Sequence, residues 1–387
     1  MNAPGNVPDD TVGGEVVPDS IRPQKSPTLY SDPKLGSPHM MAQPFLPVDG
    51  KGGEDLSGPY EPVAGWPAAI EDGWRMSGVA GVYPESPDRV IVVSHFGLVE
   101  ERVTPLVWGR NVFSMEGSPY VTFATRKKRP EHHVVIFDRE GRLVESWTWN
   151  DHLFGKLNRV FISPYDPEKH IWVTDSVKQK VYKFTNDGKR LVMTIGEVEA
   201  GSSKSDPWKA QDIAWLPNED FITAGLGRID RFDKEGRHIF SIRQRGSQPG
   251  EFLDLHGLVL DQERHRIYVS DRGNSRIQVF DEEWNFLDEW RNILAPYTLR
   301  LSRDGHIWVG DGFTQKFLKY DLDGRLLTSW GQFGIAPGAT WGIHYFDTDE
   351  EGNLYVCEDY GDRVQKYRPR ADVNPDDPRL IGALVRY

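Results

Sequence analysis

A short residue grammar recurs along this chain: an apolar strand, a strand ending in Asp, then an aromatic strand ending in Asp-x-x-Gly. It is clearest over 250–290, GEFLDLHGLVLDQERHRIYVSDRGNSRIQVFDEEWNFLDEW. There LHGLVL, RIYVSD, RIQVFD and FLDEW read as four strands, with Gly273-Asn274 and Asp281-Glu282 marking turns. Further copies are HIWVTDSVKQKVYKFTNDG at 170–188, HIWVGDGFTQKFLKYDLDG at 306–324, NLYVCEDYGDRVQKY at 353–367 and the degenerate DFITAGLGRIDRFDKEG at 220–236. A split copy joins DRVIVVSHFG (88–97) to HHVVIFDREGRLVESW (132–147) across an insertion at 98–131.

One four-stranded unit cannot bury both faces, so the copies must stack against each other. Repeats of about 40–45 residues with four strands each predict an all-β propeller. Six copies predict six blades over 75–387, with an extended N-terminal arm at 1–74, rich in Pro, Gly and Asp. The apolar tail RLIGALVRY (379–387) is a candidate strand for closing the ring. The 13 Trp are expected between blades. The 98–131 insertion, with LVWGRNVF and SPYVTFATR as an extra hairpin, is expected to overhang the channel mouth.

A net charge of −12 argues against nucleic acid or an anionic membrane as partner, and Arg126-Lys127-Lys128-Arg129 reads as a solvated loop tip. One cysteine, Cys357 in the apolar LYVCE, reads as a buried thiol. No apolar run has the length of a membrane span, and the N-terminus carries no signal-peptide pattern. These features predict a cytoplasmic protein that acts on a small molecule, with the arm as a route to a homo-oligomer.

The innermost strand of each blade opens at the mouth of the central channel, and its turn residue sets the register. His256 stands five residues before Asp261, and His344 five before Asp349. The matching positions are Asn158, Gln211 and Tyr297, with Ser77 or Gly78 in the first blade. Polar side chains from separate blades converging on one axis make a small-molecule or metal site. Imidazoles are common ligands of zinc and related divalent metals. Candidates for a third ligand beside His256 and His344 are His95, His152 and Asn158. Arg159 would orient an anionic group or pair with Asp212, and Arg300 also interrupts an apolar strand. Tyr297 and Trp341 would line the pocket. No phosphate loop, nucleophile elbow or His-Glu-x-x-His is present in the sequence.

The stretches GSQPGEFLDLHGLVLD and IYVSDRGNSRIQVFD resemble NHL repeats. From the split first blade onward, over about 80–370, the chain resembles the propeller of peptidyl-α-hydroxyglycine α-amidating lyase. That resemblance implies a zinc held by three mouth histidines, a nearby calcium, and cleavage of a carbinolamide to an amide and glyoxylate. His256 and His344 fall on two of the zinc ligands; the third falls on Asn158. The family's active-site Arg falls on Phe96, after His95. Its catalytic Tyr has no counterpart in AGLGRID, and its calcium-ligating Asp falls on Tyr345. The expectation is therefore a metal-dependent lyase or hydrolase on a related scaffold, with a non-catalytic NHL binding or scaffold propeller as the alternative.

Overall fold

The computed structural model describes residues 56–70, 74–100, 128–129, 131–196 and 208–386. Residues 1–55 of the expected arm and most of the insertion lie outside them.

Six antiparallel four-stranded sheets follow the six repeats. Their innermost strands are Val79–Ser86, Leu157–Ile162, Asp212–Trp215, Leu255–Asp261, Pro296–Ser302 and Ile343–Thr348, in blades one to six. In the first five blades the second, third and fourth strands follow in chain order outward. Leu98–Glu100, at the start of the insertion, pairs with Trp74–Met76 on one side and with Lys128–Arg129, near its end, on the other, in a separate three-stranded sheet. Among the described residues no helix is long and apolar enough to cross a membrane.

Closure of the ring departs from expectation. The fourth strand of blade six is Tyr60–Pro62, paired with Arg363–Pro369, so the propeller begins inside the stretch assigned to the arm. The C-terminal tail does not close the ring. It bridges to the inner strand of blade five at the end away from the mouth, Leu384 to Ser302, and Val385 N–H donates to Leu301 O at 2.8 Å. Tyr60 wins the closing position because its buried phenol anchors both termini: it packs 5.6 Å from Trp330, and its oxygen accepts from Ile381 N–H at 3.0 Å.

The expected tryptophan packing has a specific form. Trp147, Trp290 and Trp330 end the outer strands of blades one, four and five. Each lies over a positive-φ glycine of the next blade: Gly188, Gly324 and Gly58. Trp66, after the closing strand, does the same over Gly141 of blade one. A Cβ at these glycines would collide with the indole, and the left-handed turn already disfavours one. The glycine of Asp-x-x-Gly is thus both a turn residue and a contact between blades.

The repeated acid that ends the second strand ties down the loop entering its own blade. Asp175 accepts from Gly155 and Lys156 N–H, Asp271 from Leu253, Asp311 from Leu294 and Ala295, and Glu358 from Trp341. A carboxylate receiving backbone N–H bonds in a buried place sets the path of the chain. Here it fixes where each inner strand begins. Immediately after that point five inner strands carry a bulge, at Ala80, Asn158, His256, Tyr297 and His344. A bulged residue is released from the ladder and re-aimed. In this propeller the five form a ring around the axis.

Candidate functional site at the channel mouth

The bulge ring confirms the matched register of His256 and His344. In blade one, however, the bulged residue is Ala80, not Ser77 or Gly78. The imidazole of blade one comes instead from His95, which follows Ser94 at the end of the second strand. The rings of His95 and His344 lie 5.1 Å apart, and those of His256 and His344 4.8 Å.

All three imidazoles are buried, and each turns Nδ1 to a main-chain carbonyl of the next blade round. His95 meets Leu157 O at 2.6 Å, His256 meets Tyr297 O at 2.8 Å, and His344 meets Ala80 O at 2.7 Å. A carbonyl only accepts, so this contact assigns the proton to Nδ1 and leaves the Nε2 lone pair bare. Burial, reinforced by the nearby cations Arg159, Arg272 and Lys156, holds His95 and His256 well below the usual imidazole range. Burial and Arg159 do the same for His344. Neutral rings with a free Nε2 are the form that binds a metal or takes up a proton.

Asp359 joins them. One ligand atom from each of His95, His344 and Asp359 falls within 4.8 Å of the others, and His95 Nε2, which has no hydrogen-bond partner, stands 3.4 Å from Asp359 Oδ1. Gly78 makes this approach possible: at φ +55, an added Cβ would sit 2.8 Å from Asp359 Oδ1 and 2.9 Å from the His95 ring.

The pairing register explains the meeting. Leu157, Leu255, Pro296 and Ile343 pair with Asp175, Asp271, Asp311 and Glu358, and Val79 pairs with Ser94. His95, Ser176, Arg272, Gly312 and Asp359 are therefore equivalent positions, a second ring above the bulge ring. Sequence reasoning carried Asp359 only within the repeat NLYVCEDYGDRVQKY. The signal was the doubled Glu358-Asp359: Glu358 ties the loop, which leaves the second acid for the mouth.

The remaining sequence candidates separate into groups. Asn158 does not turn to the histidines; its Nδ2 donates to Gln211 Oε1 at 3.2 Å. Gln211 in turn donates to Asp254, which pairs with Arg272. Arg272 lies 4.3 Å over the Tyr297 ring. Tyr297 packs 4.8 Å from His256, with its hydroxyl 3.4 Å from that of Tyr360. Asn158, Gln211 and Tyr297 thus wall the mouth. Trp341 is at the rim, its ring 5.9 Å from Phe333. His152 is exposed in the turn Thr148–Leu153 and is no third ligand.

Arg159 lies beneath the histidines, fully buried, rather than facing a substrate. Its Nη1 donates to Ala80 O (2.9 Å) and Asn158 O (3.1 Å), and its Nη2 to Tyr297 O (3.1 Å) and His344 O (3.2 Å). Ala80 O and Tyr297 O each receive two donors, the guanidinium and an imidazole, which accounts for the closeness of Arg159 to both Nδ1 atoms. The guanidinium also stacks 4.6 Å from the Tyr345 ring. Below it, Arg300 donates to Tyr345 Oη and Asp347, and Arg386 of the tail pairs with Asp347. The channel is plugged.

A calcium does not fit this chain. Tyr345 stands where the resemblance calls for the acidic ligand, and the converging carbonyls already accept from Arg159. Two histidines with bare, converging Nε2 atoms and a carboxylate do fit a first-row divalent ion.

Comparison with known proteins agrees with the architecture. Residues 231–319 match the family model DUF5128, described as a 6-bladed beta-propeller. The chain is 28% identical over 182 residues to a probable peptidyl-alpha-hydroxyglycine alpha-amidating lyase of Caenorhabditis elegans, a match covering 38% of this chain and 52% of that protein. It therefore spans about half the length of that relative. It is 27% identical over 259 residues to NHL repeat-containing protein 3 of Homo sapiens, covering 61% of this chain and 72% of the other. A solved streptogramin B lyase aligns with TM-score 0.51 at 12% identity, over 80% of this chain and 97% of that one, a likeness of fold alone. The protein is a six-bladed β-propeller with NHL-repeat and amidating-lyase homologues at modest identity.

Proposed function

We propose that the channel mouth is the active site of a divalent-metal-dependent lyase or hydrolase, zinc being one candidate ion, acting on a small oxygenated substrate. One observation carries the proposal: three buried imidazoles from three blades, each with Nδ1 bonded to a carbonyl and Nε2 left bare. An ion held there would polarise a substrate oxygen or acidify a bound water. His256, neutral and beside the cluster, is placed to accept a proton. Tyr297 and Tyr360 offer hydroxyls at the wall, and Arg159 keeps the floor dry and rigid. The lyase name of the Caenorhabditis elegans relative favours a bond-cleaving reaction. The lone thiol Cys357, fully buried, suits the reducing cytoplasm.

The test is the metal content of purified protein against a His256→Ala, His344→Ala double variant, followed by lyase and hydrolase screens. Near-stoichiometric zinc, iron, copper or manganese that the double variant loses is the expected result. No metal in wild type after growth with added metals would end this reading.

A second reading has its own observation. The outer strands expose apolar pairs on four blades, Leu143 with Val144, Leu191 with Val192, Phe286 with Leu287, and Leu326 with Leu327. Such a rim suits a binding propeller. A metal-free, catalytically silent mouth would turn attention to it.

A further inference from the structure

Resting on the metal reading above, we propose that the ion is held by His95, His344 and Asp359, two imidazoles and one carboxylate, and that His256 stands outside the coordination sphere. The resemblance places the ligands on the bulge ring alone. The geometry of this chain divides them between both rings.

Four observations converge. Bonds of about 2.1 Å at tetrahedral angles put neighbouring donor atoms about 3.4 Å apart. His95 Nε2 and Asp359 Oδ1 already stand at 3.4 Å, and the three donors lie within 4.8 Å, so closure onto an ion needs a small contraction. The third bulge-ring position is committed elsewhere, because Asn158 is bonded to Gln211. Gly78 provides the space in which His95 and Asp359 approach, and any side chain there would part them. The fourth is charge. Arg159, Arg272 and Lys156 surround the histidines, and a dication held by neutral imidazoles alone would sit among three cations. The Asp359 carboxylate offsets that repulsion at contact distance, where Coulomb terms are largest.

A mixed set of nitrogen and oxygen donors with open positions suits Zn(II), Fe(II) or Mn(II) rather than calcium or magnesium. Water and substrate would take the open positions, with His256 beside them as proton carrier.

The experiment uses the full chain, stripped by chelator and titrated with Co(II), whose visible absorption reports ligand number, and with Zn(II) in competition. Loss of a second-shell partner weakens a metal by about 10–100-fold, so loss of a ligand should cost at least about 100-fold. That loss is expected in Asp359→Asn and His95→Ala, with less than about 10-fold in His256→Ala. Gly78→Ala, which keeps every donor, is expected to lose binding as well. Thermal melts of each apo variant separate lost ligands from lost fold. Affinity lost in His256→Ala but unchanged in Asp359→Asn and His95→Ala overturns this ligand set while leaving a mouth metal in place. No Co(II) or Zn(II) bound by wild type overturns the ligand set and the metal reading together.

Discussion

Arg159 and His344 are neighbours on the propeller axis, both buried, and they serve opposite ends. Arg159 sends five Nη bonds to main-chain carbonyls of blades one, two, four, five and six. His344 satisfies one ring nitrogen on a carbonyl and leaves the other facing His95 and Asp359. In the lower layer both Nη atoms of Arg159 are absorbed by main-chain carbonyls, so it binds the blades together. In the upper layer satisfaction stops halfway, and the unsatisfied half is where a ligand can act. Burial of charge alone does not mark a site; a buried ring nitrogen facing a carboxylate does.

Arg159→Ala should cost most. It strands carbonyls of five blades and removes the cation that faces buried Asp212 and Tyr345, and loss of one side of a buried charged network costs about 3–5 kcal/mol. Urea unfolding should show that loss, with Arg159→Lys recovering part of it. A change within about 0.5 kcal/mol, the ordinary range for surface substitutions, would erase the contrast between the layers.

Acid should separate the layers next. Burial holds His95, His256 and His344 below 6.5, the ordinary value of an imidazole, so below that pH the unfolded chain binds more protons. Their stability is therefore fully present above pH 6.5 and is lost as pH falls, by about 1.4 kcal/mol per pH unit for each group. Asp212 works the other way. Burial raises it from 3.8 to about 6, so its contribution is present below pH 3.8 and is lost as pH rises through 6. Urea unfolding across pH should slope upward toward neutral in wild type. Asp212→Asn should steepen that slope between pH 3.8 and 6. A flat profile in both proteins would mean the histidines are not held neutral.

His344→Ala should be milder on stability and severe on function. It removes a hydrogen bond and a ring, about 1–3 kcal/mol, while metal content falls to background by elemental analysis. Equal losses from His344→Ala and Arg159→Ala would make both layers structural. Arg386→Ala should be smallest, about 1 kcal/mol by urea unfolding, because Asp347 keeps Arg300 and the tail side chain is partly solvated. Metal content should stay unchanged in it.

The six blades were legible because their signals are local. Period-two alternation, the acid ending the second strand of four blades and the Asp-x-x-Gly turn all act within one repeat, as in RIYVSDRGNSRIQVFD. His256 and His344 were legible for the same reason, since counting back from Asp261 and Asp349 stays inside one blade. Arg159 was named, but its direction was not readable. A residue next to the bulged Asn158 faces down the channel rather than into the mouth only because the neighbouring carbonyls draw it there. Ring closure was misread in favour of the tail: RLIGALVRY looks more like a strand than Tyr-Glu-Pro does, but Tyr60 has the buried partners.

By itself, then, the sequence determined the repeat, the blade count, the loop-tying acids and the two histidines in matched register. Each depends on contacts between residues close in the chain. Only the tertiary structure decided that His95 and Asp359 meet His344, that Arg159 is a plug, and that residues 60–62 shut the ring. The contacts of Arg159 with Ala80, of His95 with Asp359 and of Tyr60 with Pro369 span from 79 to more than 300 positions of chain and exist only once six sheets have closed on a common axis, when the missing side chain at Gly78 becomes space that a distant residue fills.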